Sequence, residues 1–221
     1  MLLPVNIQRL DDMLSTLTRL PLNPKLADRA SENPTDIFAK WFDEINKSGI
    51  KEPSSVFLAT ATKCGAPSCR VVLLKSFDEN GFVFYTNVTS RKGRDITENP
   101  AAALCFYWPG TGKQVRIEGG VGKVSDTEAD AYFATRPLKS KIGAWASKQS
   151  VPMKDNKELL KRVAYYTAKW ATGNVERPPY WTGFRVIPDY FEFWRETNIK
   201  IPERKVFYLR DDIWYNSLLN P

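Results

Sequence analysis

The sequence predicts a mainly β protein, an antiparallel sheet or barrel with helices around it. Three observations carry that prediction. Five short runs rich in β-branched and aromatic residues follow one another through the middle of the chain: SVFLATAT (55–62), RVVLLK (70–75), GFVFYTN (81–87), AAALCFYW (101–108) and QVRIEGGVGKV (114–124). Turn-forming stretches, GAPS, DENG, NP and PGTG, separate them. Helical spacing with capping residues appears only before, between and after these runs.

Taken in order, residues 1–32 carry prolines at 4, 21 and 24 and read as a partly ordered arm. Residues 33–221 read as a single domain. A helix opens at Asn33, whose side chain can cap it, with Pro34 in the first position and Asp36 at the positive end of the dipole. Ile37, Phe38, Trp41, Phe42 and Ile45 give it one apolar face, and Gly49 closes it. The five strands follow. Between the third and fourth, TSRKGRDITENP reads as a short helix capped by Ser90 or Thr89. Ser125 to Glu128 is a capping box for a helix that Arg136-Pro137 ends. Ser140 is placed in the loop beyond. A polar helix is expected at roughly 154–171, then strands around 182–194 and 203–217.

Composition narrows the function classes. The chain has 221 residues, 43% hydrophobic and 26% charged, as an ordinary globular domain does. No apolar run approaches the roughly 18 residues that span a bilayer. The N-terminus meets Arg9, Asp11 and Asp12 too early for a signal peptide, so the cytoplasm is the expected location. There is no histidine, and Cys64, Cys69 and Cys105 lack metal-ligand spacing, so no metal site is expected. Cys64 and Cys69 can pair in principle but read as free thiols. The missing histidine also excludes the usual serine and cysteine hydrolase arrangements. A net charge of +7 admits nucleic acid, an anionic membrane or small anions as partners, and position must decide between them.

Two basic clusters run against the grain. Arg91 and Lys92 fall in the first turn of a predicted helix, where the macrodipole disfavours cations unless an anion is bound there. The alternative is a solvated surface pair. Tyr132 and Arg136 lie four apart on one helix face, and Ser140 follows shortly, a trio suited to a phosphate monoester and also common on surfaces. Arg70 and Lys75 bracket an apolar run and read alone as solvated flanks. IGAWASKQS is mostly small residues, which let a backbone approach something closely, and ends in Gln149 and Ser150.

In their order and spacing, RVVLLK, FYTN followed by SRKG, QVRIEG, YFATRP, SKIGAWASKQS, RPPYWTGFRV and EFW resemble the pyridoxamine 5′-phosphate oxidase family, from about Asn33 to the C-terminus. The resemblance implies an FMN-binding split β-barrel with peripheral helices. It implies a homodimer built through a C-terminal dimerisation region, with FMN at the subunit interface. The reaction it implies is oxidation of pyridoxamine or pyridoxine 5′-phosphate to pyridoxal 5′-phosphate, with hydride passing to the flavin and O2 becoming H2O2. It implies no nucleic acid and no membrane. Position by position, Arg70, Val71, Val72, Leu73, Leu74 and Lys75 would line FMN, with Lys75 also reaching the substrate phosphate. Tyr85, Thr86, Arg91, Lys92, Gln114, Gln149, Ser150, Trp194 and Arg204 would contact FMN. Tyr132, Arg136 and Ser140 would hold the substrate phosphate. No catalytic side chain is assigned.

The sequence departs from that family in one stretch above all. The family's arginine, leucine, histidine, aspartate, arginine run reads Lys200, Ile201, Pro202, Glu203 and Arg204 here. Lys200, in the first substrate-facing position, keeps the charge without the planar fork, and Pro202 removes a hydrogen bond and fixes φ. The family's N-terminal Arg/Tyr segment has no match in residues 1–32, and its C-terminal Arg-Leu-x-Pro reads Leu218, Leu219, Asn220 and Pro221. Two readings stay open: drift within an active oxidase, or a paralogue that binds FMN or pyridoxal 5′-phosphate without efficient turnover or acts on another substrate.

Overall fold

Alternation along the strands decides what each one buries. In β2 (Ser55–Ala61), Val56, Leu58 and Thr60 point inward; in β6 (Ala101–Trp108), Ala102, Leu104, Phe106 and Trp108 do. The structure is a computed structural model that describes residues 27–171 and 173–221. The expected arm therefore lies largely outside the described residues. Its last part contains β1 (Asp28–Arg29), which pairs with the C-terminal strand.

The remaining strands are β3 (Pro67–Leu73), β4 (Ser76–Asp78), β5 (Gly81–Asn87), β7 (Lys113–Lys123), β8 (Trp181–Arg195), β9 (Glu203–Arg210) and β10 (Ile213–Leu219). Antiparallel ladders join them in the order β1-β10-β9-β8-β7-β6-β2-β3, and β5 pairs with both β4 and β8. The long strand β8 thus has three partners. Its first half pairs with β5 (Thr86↔Thr182) and its second with β9 (Trp194↔Arg204), while β7 runs along most of its length. The sheet splits at β8, one branch curling back toward β3 through β5, where Lys75 N donates to the Val83 carbonyl (2.9 Å). At the Glu118/Gly119 bulge β7 shifts register, and a Cβ on Gly119 would lie 1.9 Å from the Ile187 carbonyl.

Helix α1 (Pro34–Lys47) closes the core from one side. Asn33 Oδ1 accepts from Thr35 N (2.9 Å), and Gly49 takes φ +80 just past the end. Phe38 is fully buried among Phe42, Phe77, Phe82, Phe106 and Trp108, with ring centroids 4.9–6.4 Å away. The other helices are α2 (Arg91–Glu98), α3 (Asp126–Thr135), α4 (Leu138–Ala146) and α5 (Asn156–Lys169). Ser125 Oγ caps α3 by accepting from Glu128 N (3.1 Å), but the reciprocal half of the expected box is missing. The Glu128 carboxylate turns instead to Arg185.

Two expectations are corrected. Ser140 is in the first turn of α4, not in a loop. Pro137, at φ −56, starts a new helix in which Ser140 N and Lys141 N both bond to its carbonyl, while Ile142 and Ala146 bury the inner face. The expected strand 203–217 is a hairpin, broken at Asp211 and Asp212, both at positive φ as a two-residue turn requires. No helix among the described residues is long and apolar enough to cross a membrane.

Candidate active site

Strand β5 delivers the chain to α2 through a tightly specified turn. Asn87 Oδ1 accepts from both Thr89 N and Thr89 Oγ1 (2.7 Å each). Ser90 Oγ donates to the Asn87 carbonyl (2.7 Å) and accepts from Gly93 N (3.3 Å), which makes Ser90 rather than Thr89 the cap. Gly93 packs so closely on Val88 that a Cβ would stand 2.3 Å from the Val88 carbonyl. The first turn of α2 holds no acid. Arg91 is exposed, whereas Lys92 is only 9% exposed.

Lys92 Nζ donates over long distances to Thr86 Oγ1 (3.3 Å) and Gln149 Oε1 (3.4 Å), and no carboxylate among the described residues pairs with it. Burial, and then the nearby Arg70 charge, holds its pKa below the ordinary lysine value of 10.5. Arg70 is fixed alongside. Its Nη1 donates to Thr60 Oγ1 (2.7 Å) and to the Leu58 carbonyl (3.1 Å), and its Nη2 lies 3.8 Å from the buried Asp95. The acid nearest the cluster is thus committed to Arg70 and Thr60. A buried ammonium at a helix N-terminus without a counter-ion is a receptor for an anion.

A second cationic receptor is built on aromatic rings. Tyr85 stacks on Tyr132 (4.0 Å, 15°) and lies nearly parallel to Trp181 (5.1 Å, 11°), and the Arg136 guanidinium carbon is 4.8 Å from the Trp181 ring. Arg136 Nη1 is buried and has no hydrogen-bond partner among the described residues. Burial lowers the Arg136 pKa, and it pushes the Tyr85 hydroxyl up to about 12, aided by the Glu128 charge. The Tyr85 ring therefore stays neutral through the physiological range.

A third group occupies a different part of the sheet. Gln114, Trp194 and Arg204 form one cross-strand row over β7, β8 and β9, continued by Tyr107 on β6. Their neighbours Val115 and Phe193 are buried in the core, so this row looks outward. Arg204 Nε donates to Glu192 Oε1 (2.8 Å) and its Nη1 to the Asn220 carbonyl (3.0 Å). Glu192, 2% exposed, also takes a bond from Arg116 Nη1 (2.8 Å).

Known proteins decide which family this arrangement belongs to. Residues 42–170 match the pyridoxamine 5′-phosphate oxidase family, and residues 181–221 match the pyridoxine 5′-phosphate oxidase C-terminal dimerisation region. The chain belongs to the pyridoxamine 5′-phosphate oxidase family. It is 51% identical over 177 residues to the pyridoxine/pyridoxamine 5′-phosphate oxidases of Brucella canis and Brucella suis, covering 80% of this chain and 87% of each of theirs. Among solved structures, PhzG from Burkholderia lata, in complex with tetrahydrophenazine-1-carboxylic acid, superposes with a TM-score of 0.82. It is 31% identical and covers 86% of this chain and 93% of its own. A pyridoxamine 5′-phosphate oxidase-related, FMN-binding protein from Nostoc punctiforme shares the fold at 19% identity and a TM-score of 0.67, covering 86% of this chain and 99% of its own.

Within this oxidase fold the expected site residues fall into distinct places. Arg70, Thr86, Lys92 and Gln149 come together; Tyr85, Tyr132 and Arg136 share the Trp181 platform. Of the strand run, Val71 is exposed and Leu74 buried, with Val72 and Leu73 between. Lys75 is exposed in the β3–β4 connection, and Ser150 is exposed at φ +67 after α4. Lys200 is exposed in the β8–β9 turn at φ +56, three residues after Thr197, whose carbonyl accepts its N–H (2.9 Å). Gly143 needs no small side chain within this chain, since a Cβ there meets nothing within 4 Å. Trp181 and Glu192 carry no assigned role in the sequence reading. The signal for Glu192 was an acid between Phe191 and Phe193, both of which must face the core. FMN fits the first receptor: a buried, unpaired Lys92 beside an acid-free helix start has the chemistry that a phosphate monoester requires.

Proposed function

We propose that the protein oxidises pyridoxine 5′-phosphate and pyridoxamine 5′-phosphate to pyridoxal 5′-phosphate, using FMN. Pyridoxine 5′-phosphate and O2 give pyridoxal 5′-phosphate and H2O2; the amine substrate also consumes water and releases ammonia. One observation carries the reading: two cationic receptors without counter-ions among the described residues, Lys92 at the start of α2 and Arg136 on its aromatic platform, match one phosphate on the cofactor and one on the substrate. The 51% identity to curated oxidases supports it.

Bound FMN supplies acceptance of a hydride from C4′ and delivery of the electrons to O2. The chain's own residues bind and orient. Lys92, Arg91, Thr86 and Gln149 would take the cofactor phosphate, with Arg70 held in place by Asp95 and Thr60. Tyr132, Arg136 and Ser140 would take the substrate phosphate and so place C4′. No imidazole is present to move a proton.

The protein is inferred to act as a homodimer with FMN at the subunit interface. Gln114, Trp194 and Arg204 lie on the outward side of the sheet, across β6 and β2 from β3, while Arg70 is paired opposite the core residue Leu58. One chain therefore supports two half-sites that a second copy would complete. Anaerobic titration of the purified yellow protein with pyridoxamine 5′-phosphate tests the function. Stoichiometric bleaching of the flavin is expected, and an unbleached flavin with both vitamers would sink the reading.

A second reading, another substrate or binding with little turnover, is favoured by the departures from the family pattern, Lys200 and Pro202 above all. Changing them to Arg and His separates the two. A large gain in turnover favours the second reading, and little change the first.

A further inference from the structure

We propose that Trp181 is a positioning residue for the substrate phosphate, acting through Arg136. This rests on the reading of Arg136 as a phosphate-binding group. The Arg136 guanidinium lies 4.8 Å from the Trp181 ring and 5.5 Å from Phe133, and no carboxylate among the described residues binds it. An arginine buried without an ion pair is normally swung out to water. Here the indole face holds it, and its Nη1 is left buried and without a partner among the described residues, a donor open to a ligand acceptor. The same indole is parallel to Tyr132 (6.2 Å, 4°) and nearly so to Tyr85 (5.1 Å, 11°), on which Tyr132 stacks. One ring thereby fixes the spacing of Tyr132 and Arg136, both expected to grip the same phosphate. Trp181 itself is held edge-on by Phe133 (5.0 Å, 70°) and by the β5–β8 ladder at Asn87. It touches the arginine, not the phosphate, so its contribution is to orient a donor that would otherwise have several rotamers.

The test is equilibrium binding of 4-deoxypyridoxine 5′-phosphate, a ring-matched analogue without the reacting hydroxyl, to FMN-loaded protein. Trp181→Leu is expected to weaken binding about tenfold or more, and Trp181→Phe, which keeps an aromatic face, to recover most of that loss. In an Arg136→Gln background, Trp181→Leu is expected to change binding by less than about twofold, because the residue through which it acts is gone. Unaltered binding in Trp181→Leu would overturn the proposal. An equal loss with and without Arg136, or a parallel loss of FMN affinity, would also overturn it, since either marks a scaffold effect. If the leucine variant does not fold, the same cycle with Trp181→Phe decides on its smaller effect. Failure of the wild-type protein to oxidise either vitamer would defeat the oxidase reading and leave this binding cycle interpretable.

Discussion

Lys92 has a charge that no carboxylate among the described residues balances, and the consequences are measurable. A lysine whose folded pKa is depressed binds fewer protons folded than unfolded between that value and 10.5. The cofactor-free protein should therefore gain stability as pH rises through that window. FMN affinity should do the opposite, falling as the ammonium loses its proton, with a midpoint below 10.5. Flavin fluorescence titrations across alkaline pH check this. Lys92→Met should weaken FMN about 10- to 100-fold at neutral pH, as loss of a charged hydrogen bond does, and should flatten the alkaline profile. An unchanged profile in that variant would assign the titration elsewhere. At this scale the sequence was informative where a residue broke a local rule. Two cations at a helix start pointed to the anion receptor, yet nothing in the pattern said that Arg91 would be exposed and Lys92 buried. That division depends on Thr86 at the end of β5 and on Gln149 arriving from a distant segment.

Single elements turn those residues into a site. Helix α2 can begin where it does because Ser90 caps it and Gly93 lets it lie against Val88. Ser90→Ala should lower stability by about 1 kcal/mol. Gly93→Ala should destabilise by about 1–3 kcal/mol through overpacking, and FMN affinity should fall with it. Thermal melts with and without FMN separate the two effects, because a displaced helix start also loses the ligand-induced stabilisation. For α1, Phe38→Ala should lower stability by about 3–5 kcal/mol, measured by urea unfolding, since it empties a site shared by five other rings. The caps at Asn33 and Ser125 were legible from local chemistry alone, as were the five central strands, the second of them set three residues too late at its start (Pro67–Leu73), while the α2 cap was left between Ser90 and Thr89. Ser140 was misplaced because a proline ends one helix and starts the next within two residues. The Asp211-Asp212 turn was missed because the pair lacks the glycine that normally signals a two-residue hairpin.

Across the whole molecule, the outward face of the sheet presents Phe57 (47% exposed), Val71 (55%) and Tyr107 (53%) beside the Gln114, Trp194 and Arg204 row. Phe57 and Val71 are direct cross-strand partners, so the apolar surface is continuous there. A second copy of the chain is the proposed cover. Phe57→Asp should yield monomers in analytical ultracentrifugation and weaken FMN binding, although Phe57 is not among the residues assigned to FMN. A dimer that survives this change would place the interface elsewhere. No sequence pattern shows which of these exposed residues share a surface, because that follows from the register of separate hairpins. The three-way pairing of β8 also has a consequence for biosynthesis. Strand β5, which leads into the anion receptor, has its ladder partner far along the chain, where Phe82 meets Val186. Such non-local pairing forms slowly, and it cannot form at all until the first half of β8 has left the ribosome. Nascent chains should therefore stay unable to retain flavin until β8 emerges, which makes the cofactor a reporter of that strand's arrival.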